Sequence, residues 1–196
     1  NNKLNFKTIV PDIAFEHDLK YPDALLIIKS LLDTAQKKNL HFGLKLTNTL
    51  ESANNKTVFG NDVDMMYMSG RSLHPISINV AKKLQNEFDG KLQLSFSGGA
   101  DTFNISHILN CGFKTVTVSS DLLKPGGYMR LKQYFDELTK ENIDLQISKE
   151  IALENLNQYA NQVIESDKYK RKSIKDPDIK TERNLGYFDC VSAPCK

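Results

Sequence analysis

The stretch 92-LQLSFSGGAD-101 alternates Leu92, Leu94 and Phe96 with Gln93, Ser95 and Ser97, then breaks at Gly98-Gly99. Period-two alternation predicts a strand with one apolar face. Two other stretches read the same way. In 41-HFGLKLTNT-49, Phe42, Leu44 and Leu46 alternate with Gly43, Lys45 and Thr47; in 114-KTVTVSS-120, Val116 and Val118 alternate with Thr115, Thr117 and Ser119. A fourth extended stretch is expected in 6-FKTIVPDIAF-15, divided at Pro11.

Helical patterns separate these strands. They run from Pro22 to Asn39, over 75–88 with Gly90 as a left-handed cap, and over 102–110 with Asp101 or Thr102 as cap and Gly112 as stop; two more cover 127–140 and about 149–165. Strands alternating with helices predict βα units and a parallel sheet. Parallel strands buried on both faces should be apolar throughout, yet each of these keeps a face of Gly, Lys, Thr, Gln and Ser. A closed barrel reconciles the two signals. The apolar face packs outward on helices, and the small and polar face points inward. The predicted class is therefore α/β, with the strands forming the C-terminal part of a (β/α)8 TIM barrel, followed by a helical and linker extension.

Function in such a barrel sits at the C-terminal ends of the strands, and phosphate commonly binds in the last two βα loops. Gly98-Gly99 ends one strand and Ser119-Ser120 the next. Glycines let backbone N–H groups approach an anion closely. Gly-Gly alone is equally a tight-turn dipeptide; the Ser-Ser on the neighbouring strand favours an anion site.

The 196 residues suffice for one sizeable core, and 40% hydrophobic with 26% charged residues is an ordinary globular composition. A net charge of +2 gives no electrostatic case for nucleic acid, and no run is apolar enough for a membrane span. Three cysteines, Cys111, Cys190 and Cys195, make no disulfide framework and fit a cytoplasmic location. The chain lacks an initiator Met and ends abruptly, which reads as a fragment. The organisation expected is barrel over 1–146, helix and linker over 147–186, and the start of another domain over 187–196.

The motifs TNT (47–49), SGR (69–71), SGGAD (97–101), CG (111–112) and VSS (118–120) occur in this order. Together they resemble the C-terminal half of the flavin barrel of dihydroorotate and dihydropyrimidine dehydrogenases. The longer stretches KLTNTLE, MYMSGRSLHP, FDGKLQLSFSGGAD and LLKPGGYMRL are similar, more closely, to the selenate reductase subunit family of iron–sulfur flavoproteins. The likeness covers roughly residues 40–140. It implies an oxidoreductase that passes electrons through FMN and iron–sulfur centres, with a small-molecule substrate, a redox partner subunit or domain, and a second flavin or nicotinamide. By position it implies that Asn48 and Thr49 contact substrate, that Thr47 and Gly70 lie near FMN, and that Gly98, Gly99, Ser119 and Ser120 hold its phosphate. Lys7 or Lys45 would be the flavin-contacting lysine. For Lys7 a solvated terminal lysine is the competing reading, and for Lys45 an inward lysine paired with a carboxylate. The family's Ser or Cys base belongs to an earlier strand, so the catalytic residue is unknown.

The ending 187-YFDCVSAPCK-196 resembles the C-x2-C-x4-C-x3-C-P opening of the iron–sulfur domain in dihydropyrimidine dehydrogenase and glutamate synthase small-subunit relatives. Cys190 and Cys195 match its second and third cysteines, Tyr187 stands at the first, and the implied group is a 4Fe-4S cluster. The segment 51–68 reads as a long polar loop, a lid or a cover over packed Met65, Met66, Tyr67 and Met68. His17, His41, His74 and His107 lack metal-ligand spacing and read as structural; 168-KYKRKSIK-175 reads as a solvated linker. The rival reading is a barrel without flavin that serves as a docking scaffold for a partner reductase.

Overall fold

The computed structural model describes residues 2–170 apart from 5, 7, 56–61 and 144. Lys7, Tyr187, Cys190 and Cys195, and with them most of the linker and all of the 187–196 segment, lie outside the described residues.

The predicted strands pair as one parallel sheet. β1 (Gly43–Leu46), β4 (Gln93–Ser97) and β5 (Thr115–Thr117) lie in the order β1-β4-β5. The register aligns Leu44 with Leu94, Leu46 with Phe96 and Val116, and Lys45 with Ser95 and Thr115. One face is thus a continuous apolar surface. Leu92, Leu94 and Phe96 are buried, with Phe96 fully so, and they join Ile78, Ala81, Ile108, Phe113, Leu156 and Val163 in the core. Truncating Phe96 to Ala there would cost about 3–5 kcal/mol. The other face carries Gly43, Lys45, Gln93, Thr115 and Thr117, all exposed, and the Thr115 hydroxyl donates to Ser95 Oγ at 2.7 Å. These rows match the inward tiers of a TIM barrel.

The helices follow their sequence signals. α1 (Tyr21–Lys37) has Pro22 in its first turn, where its missing N–H costs nothing. α2 (His74–Glu87) covers the sheet and ends at Gly90, whose φ of +69° closes a turn through Gly90 N–H to the Gln85 carbonyl. α3 (Ile105–Asn110) is shorter than expected, because residues 102–104 form a turn built on Asp101. α4 (Arg130–Glu141) follows a 3-10 turn at Gly127–Met129, and α5 (Lys149–Glu165), capped by the Ser148 hydroxyl, packs along α2.

Two expectations are corrected. The ends of the 51–68 segment pair as a β-hairpin ladder, β2 (Leu50–Ala53) antiparallel to β3 (Met65–Met68), where an unpaired loop was expected. Its pairs alternate: Leu50–Met68 and Ser52–Met66 face inward, with Met68 and Ser52 buried, while Tyr67 opposite Glu51 is exposed. No strand forms among the described residues of 6–15. Pro11 cannot donate to a ladder, and Asp12–Phe15 closes a 3-10 turn after it; the Ile9 carbonyl accepts from Ala53 N–H of the hairpin.

Candidate functional site

The C-terminal ends of the three parallel strands bring four of the predicted motifs together. At the end of β1, Thr47 N–H donates to the Ser97 carbonyl at the end of β4, and Thr47 Oγ1 lies 2.6 Å from Ser77 Oγ in α2. The SGR segment crosses the same point. A Cβ placed on Gly99 would sit 2.1 Å from the Gly70 carbonyl oxygen, and one on Gly70 would meet the Ser120 side chain at 3.6 Å. Gly98 is equally tight, with Ser77 Oγ 2.3 Å from an added Cβ. Gly70 and Gly99 have φ of +64° and +71°. These glycines are therefore required by the approach of three protein segments to one another, a reason that the sequence, read for a tight turn or an anion site, did not supply.

Charged pairs fix the surrounding loops. Arg71 of the SGR motif donates to Asp101 of SGGAD at 2.7 Å, and its guanidinium lies 5.7 Å from the centre of the Phe103 ring. Asp101 also accepts from Phe103 N–H, and Asn104 spans the turn by accepting from Asp101 N–H and donating to the Gly99 carbonyl. After β5, Asp121 is buried and accepts from Lys124, Arg130 and Tyr134; the Tyr134 hydroxyl is also 3.3 Å from the Ala100 carbonyl. Burial alone would push the Asp121 carboxyl up. The bonds from Lys124, Arg130 and Tyr134 outweigh it and hold the group below the usual carboxylate range.

Behind the turn, His74 is fully buried. Its Nδ1 lies 3.2 Å from the Gly98 carbonyl oxygen and its Nε2 lies 2.8 Å from the Tyr159 hydroxyl, which in turn is 2.6 Å from the Tyr169 hydroxyl. Burial lowers its pKa to about 3, so the ring is neutral. Sequence reading classed His74 as structural and gave no role to Ser77, Asn104, Tyr134 or Tyr159. The available signal was charge complementarity between the ends of SGR and SGGAD.

The remaining predicted residues stand outside these close contacts. Asn48 and Thr49 are exposed in the link from β1 to β2, at the same end of the sheet. Lys45 is exposed on the polar face, and among the described residues it pairs with no carboxylate. Ser119 is exposed beside the half-buried Ser120. Among the described residues, no protein acceptor is bonded to the amides of Gly98, Gly99, Ala100, Ser119 or Ser120. Donors without acceptors, beside close-packed glycines and two hydroxyls, fit a phosphate group. A cavity of about 210 Å³ lies at the opposite end, beside Lys91, Gln93 and Lys114. A groove of about 740 Å³ runs between the N-terminal segment and α2. Neither belongs to this site. Cys111 is buried, and burial pushes its thiol up to about 12. No group of three or more His, Cys, Asp or Glu that could hold a metal occurs among the described residues.

Residues 2–172 match the family described as "Oxidoreductase YgfK, N-terminal TIM-barrel domain". The chain belongs to this family. The α/β architecture with its parallel sheet is accordingly that of a TIM-barrel domain. Two curated relatives, each named "Putative oxidoreductase YgfK", come from Escherichia coli K12 and Escherichia coli O157:H7. Each is 43% identical over 183 residues, which is 93% of this chain. The chain spans 17% of the length of each YgfK relative. No solved structure matches. Among the described residues no helix is long and apolar enough to cross a membrane.

Proposed function

We propose that this YgfK-family barrel supplies the FMN phosphate and substrate end of a cytoplasmic iron–sulfur flavoprotein oxidoreductase similar to the selenate reductase subunit family. The observation that carries this reading is the convergence of Thr47, Gly70, Gly98-Gly99 and Ser119-Ser120 at one end of the sheet, with backbone donors that have no acceptor among the described residues. Bound there, FMN would supply the chemistry of two-electron oxidation of a small molecule coupled to single-electron transfer. The chain's own residues hold and orient. The Gly99, Ser119 and Ser120 amides would donate to the phosphate, Lys45 of the polar face would contact the flavin, and Asn48 and Thr49 would offer an amide and a hydroxyl to substrate. Cys190 and Cys195, with thiolates from elsewhere, would hold a 4Fe-4S cluster, which would supply one-electron transfer to a redox partner subunit or domain.

The exposed Ser119 gives a test that spares the core. In the full-length protein Ser119→Asp sets a carboxylate against the phosphate, so bound FMN falls while the melting temperature holds. Unchanged FMN content would move the phosphate elsewhere. For the cluster, Cys195→Ser lowers iron and labile sulfide in anaerobically purified full-length protein; equal iron in both proteins removes Cys195 from the ligand set.

The docking-scaffold reading has one observation in its favour. Phe103, Leu123, Tyr128 and Met129 are all exposed on the loops that follow β4 and β5. A full-length protein that is folded, free of flavin and bound to a reductase through these side chains would favour it.

A further inference from the structure

Four polar groups form a buried line behind the Gly98-Gly99 turn. The Gly98 carbonyl, the two ring nitrogens of His74, the Tyr159 hydroxyl and the Tyr169 hydroxyl follow at 3.2, 2.8 and 2.6 Å. The order of donors is fixed by the end that can only accept. A carbonyl has no proton to give, so His74 Nδ1–H donates to Gly98, and the tautomer is assigned by that partner. The neutral ring then leaves Nε2 as an acceptor, so Tyr159 donates to it and Tyr169 donates to Tyr159. The Tyr169 ring also stacks on His74, with centroids 5.1 Å apart and planes 8° from parallel. Tyr159 comes from α5, and Tyr169 from the turn after it, where its N–H donates to the Ser166 carbonyl.

The consequence lies on the other side of the turn. In a planar trans peptide the C=O and N–H point in opposite directions, and both peptides of this turn are trans. His74 draws the Gly98 carbonyl inward, which turns Gly99 N–H away from the core. Asn104 draws the Gly99 carbonyl, which does the same for Ala100 N–H. Successive N–H groups turned out of a left-handed glycine make an anion-binding nest. A trio of apolar side chains could fill the space of His74, Tyr159 and Tyr169 without the cost of burying polar groups, so what the polar chain adds is orientation.

We propose that Tyr169, Tyr159 and His74 form a positioning chain through which the seating of the segment after α5 sets the anion-binding shape of the Gly98-Gly99-Ala100 turn. The three are positioning residues, since only backbone amides meet the ligand. The identity of that ligand as FMN rests on the reading above; the chain itself does not.

The test uses the full-length protein with Tyr159→Phe, and with Asn157→Ala as the control. Asn157 lies on the same helix and bonds Asn86, away from the chain. Two quantities are read: hydrogen exchange of the bonded amides of Asp101, Phe103, Asn104 and Ile105, and FMN titration of flavin-stripped protein. Tyr159→Phe is expected to speed that exchange and weaken FMN, each by roughly fivefold to tenfold, as for one lost buried hydrogen bond. Asn157→Ala leaves both near wild type. His74→Asn, whose amide can take the place of Nδ1–H, retains more FMN affinity than His74→Leu at matched melting temperature. Exchange in Tyr159→Phe equal to wild type, or to the control, overturns the proposal. If wild type takes up no FMN while Tyr159→Phe still speeds exchange, the positioning chain stands and the flavin reading fails. Should Tyr159→Phe not fold, Tyr169→Phe breaks the same chain one link further from the turn and is judged by the same criteria.

Discussion

A single carbonyl explains why Gly99 admits no other residue. Its φ of +71° already disfavours a side chain, and the Gly70 carbonyl stands where a Cβ would go. Gly99→Ala combines overpacking with a left-handed backbone and is expected to destabilise by about 2–4 kcal/mol, read as a lower urea midpoint at unchanged slope. A variant as stable as wild type would mean that the SGR and SGGAD segments do not meet this closely. His74 makes a second prediction at this scale. Its folded pKa of about 3 lies below the unfolded value near 6.5. Between these values the unfolded chain binds more protons, so stability is full above about pH 6.5 and falls as pH drops toward 3. The slope is on the order of 1.4 kcal/mol per pH unit. Between about pH 4 and 6.5 His74→Asn removes that slope, apart from the share of His107, whose pKa is also lowered, chiefly by burial; at lower pH Asp121 adds a loss of its own. A pH profile of urea midpoints for both proteins decides this.

Among the elements, those whose side chains alternate or recur over a full face were legible in advance. β1, β4, β5 and the helices α1, α2, α4 and α5 follow their apolar periodicity and their Pro and Gly signals. The hairpin was not legible, because 65-MMYM-68 has no polar alternation and β2 owes its inward face to Leu50 and to Ser52, a small polar residue that burial does not announce. The interlock of βα loops was also hidden, since a sequence lists Asp121, Arg130 and Tyr134 without showing that they share one buried carboxylate. Asp121→Asn leaves Arg130 and Lys124 facing a neutral group and is expected to cost about 3 kcal/mol. Because the folded carboxyl is held below its unfolded value, this contribution is present above about pH 4 and is lost as pH falls through the folded pKa. Chemical denaturation at pH 7 and at pH 3 should therefore show wild type and variant converging in acid. A gap of equal size at both pH values would assign the effect to packing instead.

At the scale of the molecule, four of the motifs read in sequence meet at one end of the sheet, and the structure supplies the contacts that hold them there. Thr47, Gly70, Gly98, Gly99 and Ser120 come from segments up to 73 positions apart and meet at one end of a parallel sheet, as the barrel reading required. What the sequence could not show is that the glycines are held by protein contacts while neighbouring amides have no acceptor among the described residues. The central claim is that these amides serve the phosphate of FMN. It is tested most directly by releasing and identifying the flavin from full-length protein purified without added cofactor. The account predicts stoichiometric FMN. A folded full-length protein that contains no flavin, and takes none up when FMN is supplied, would contradict it.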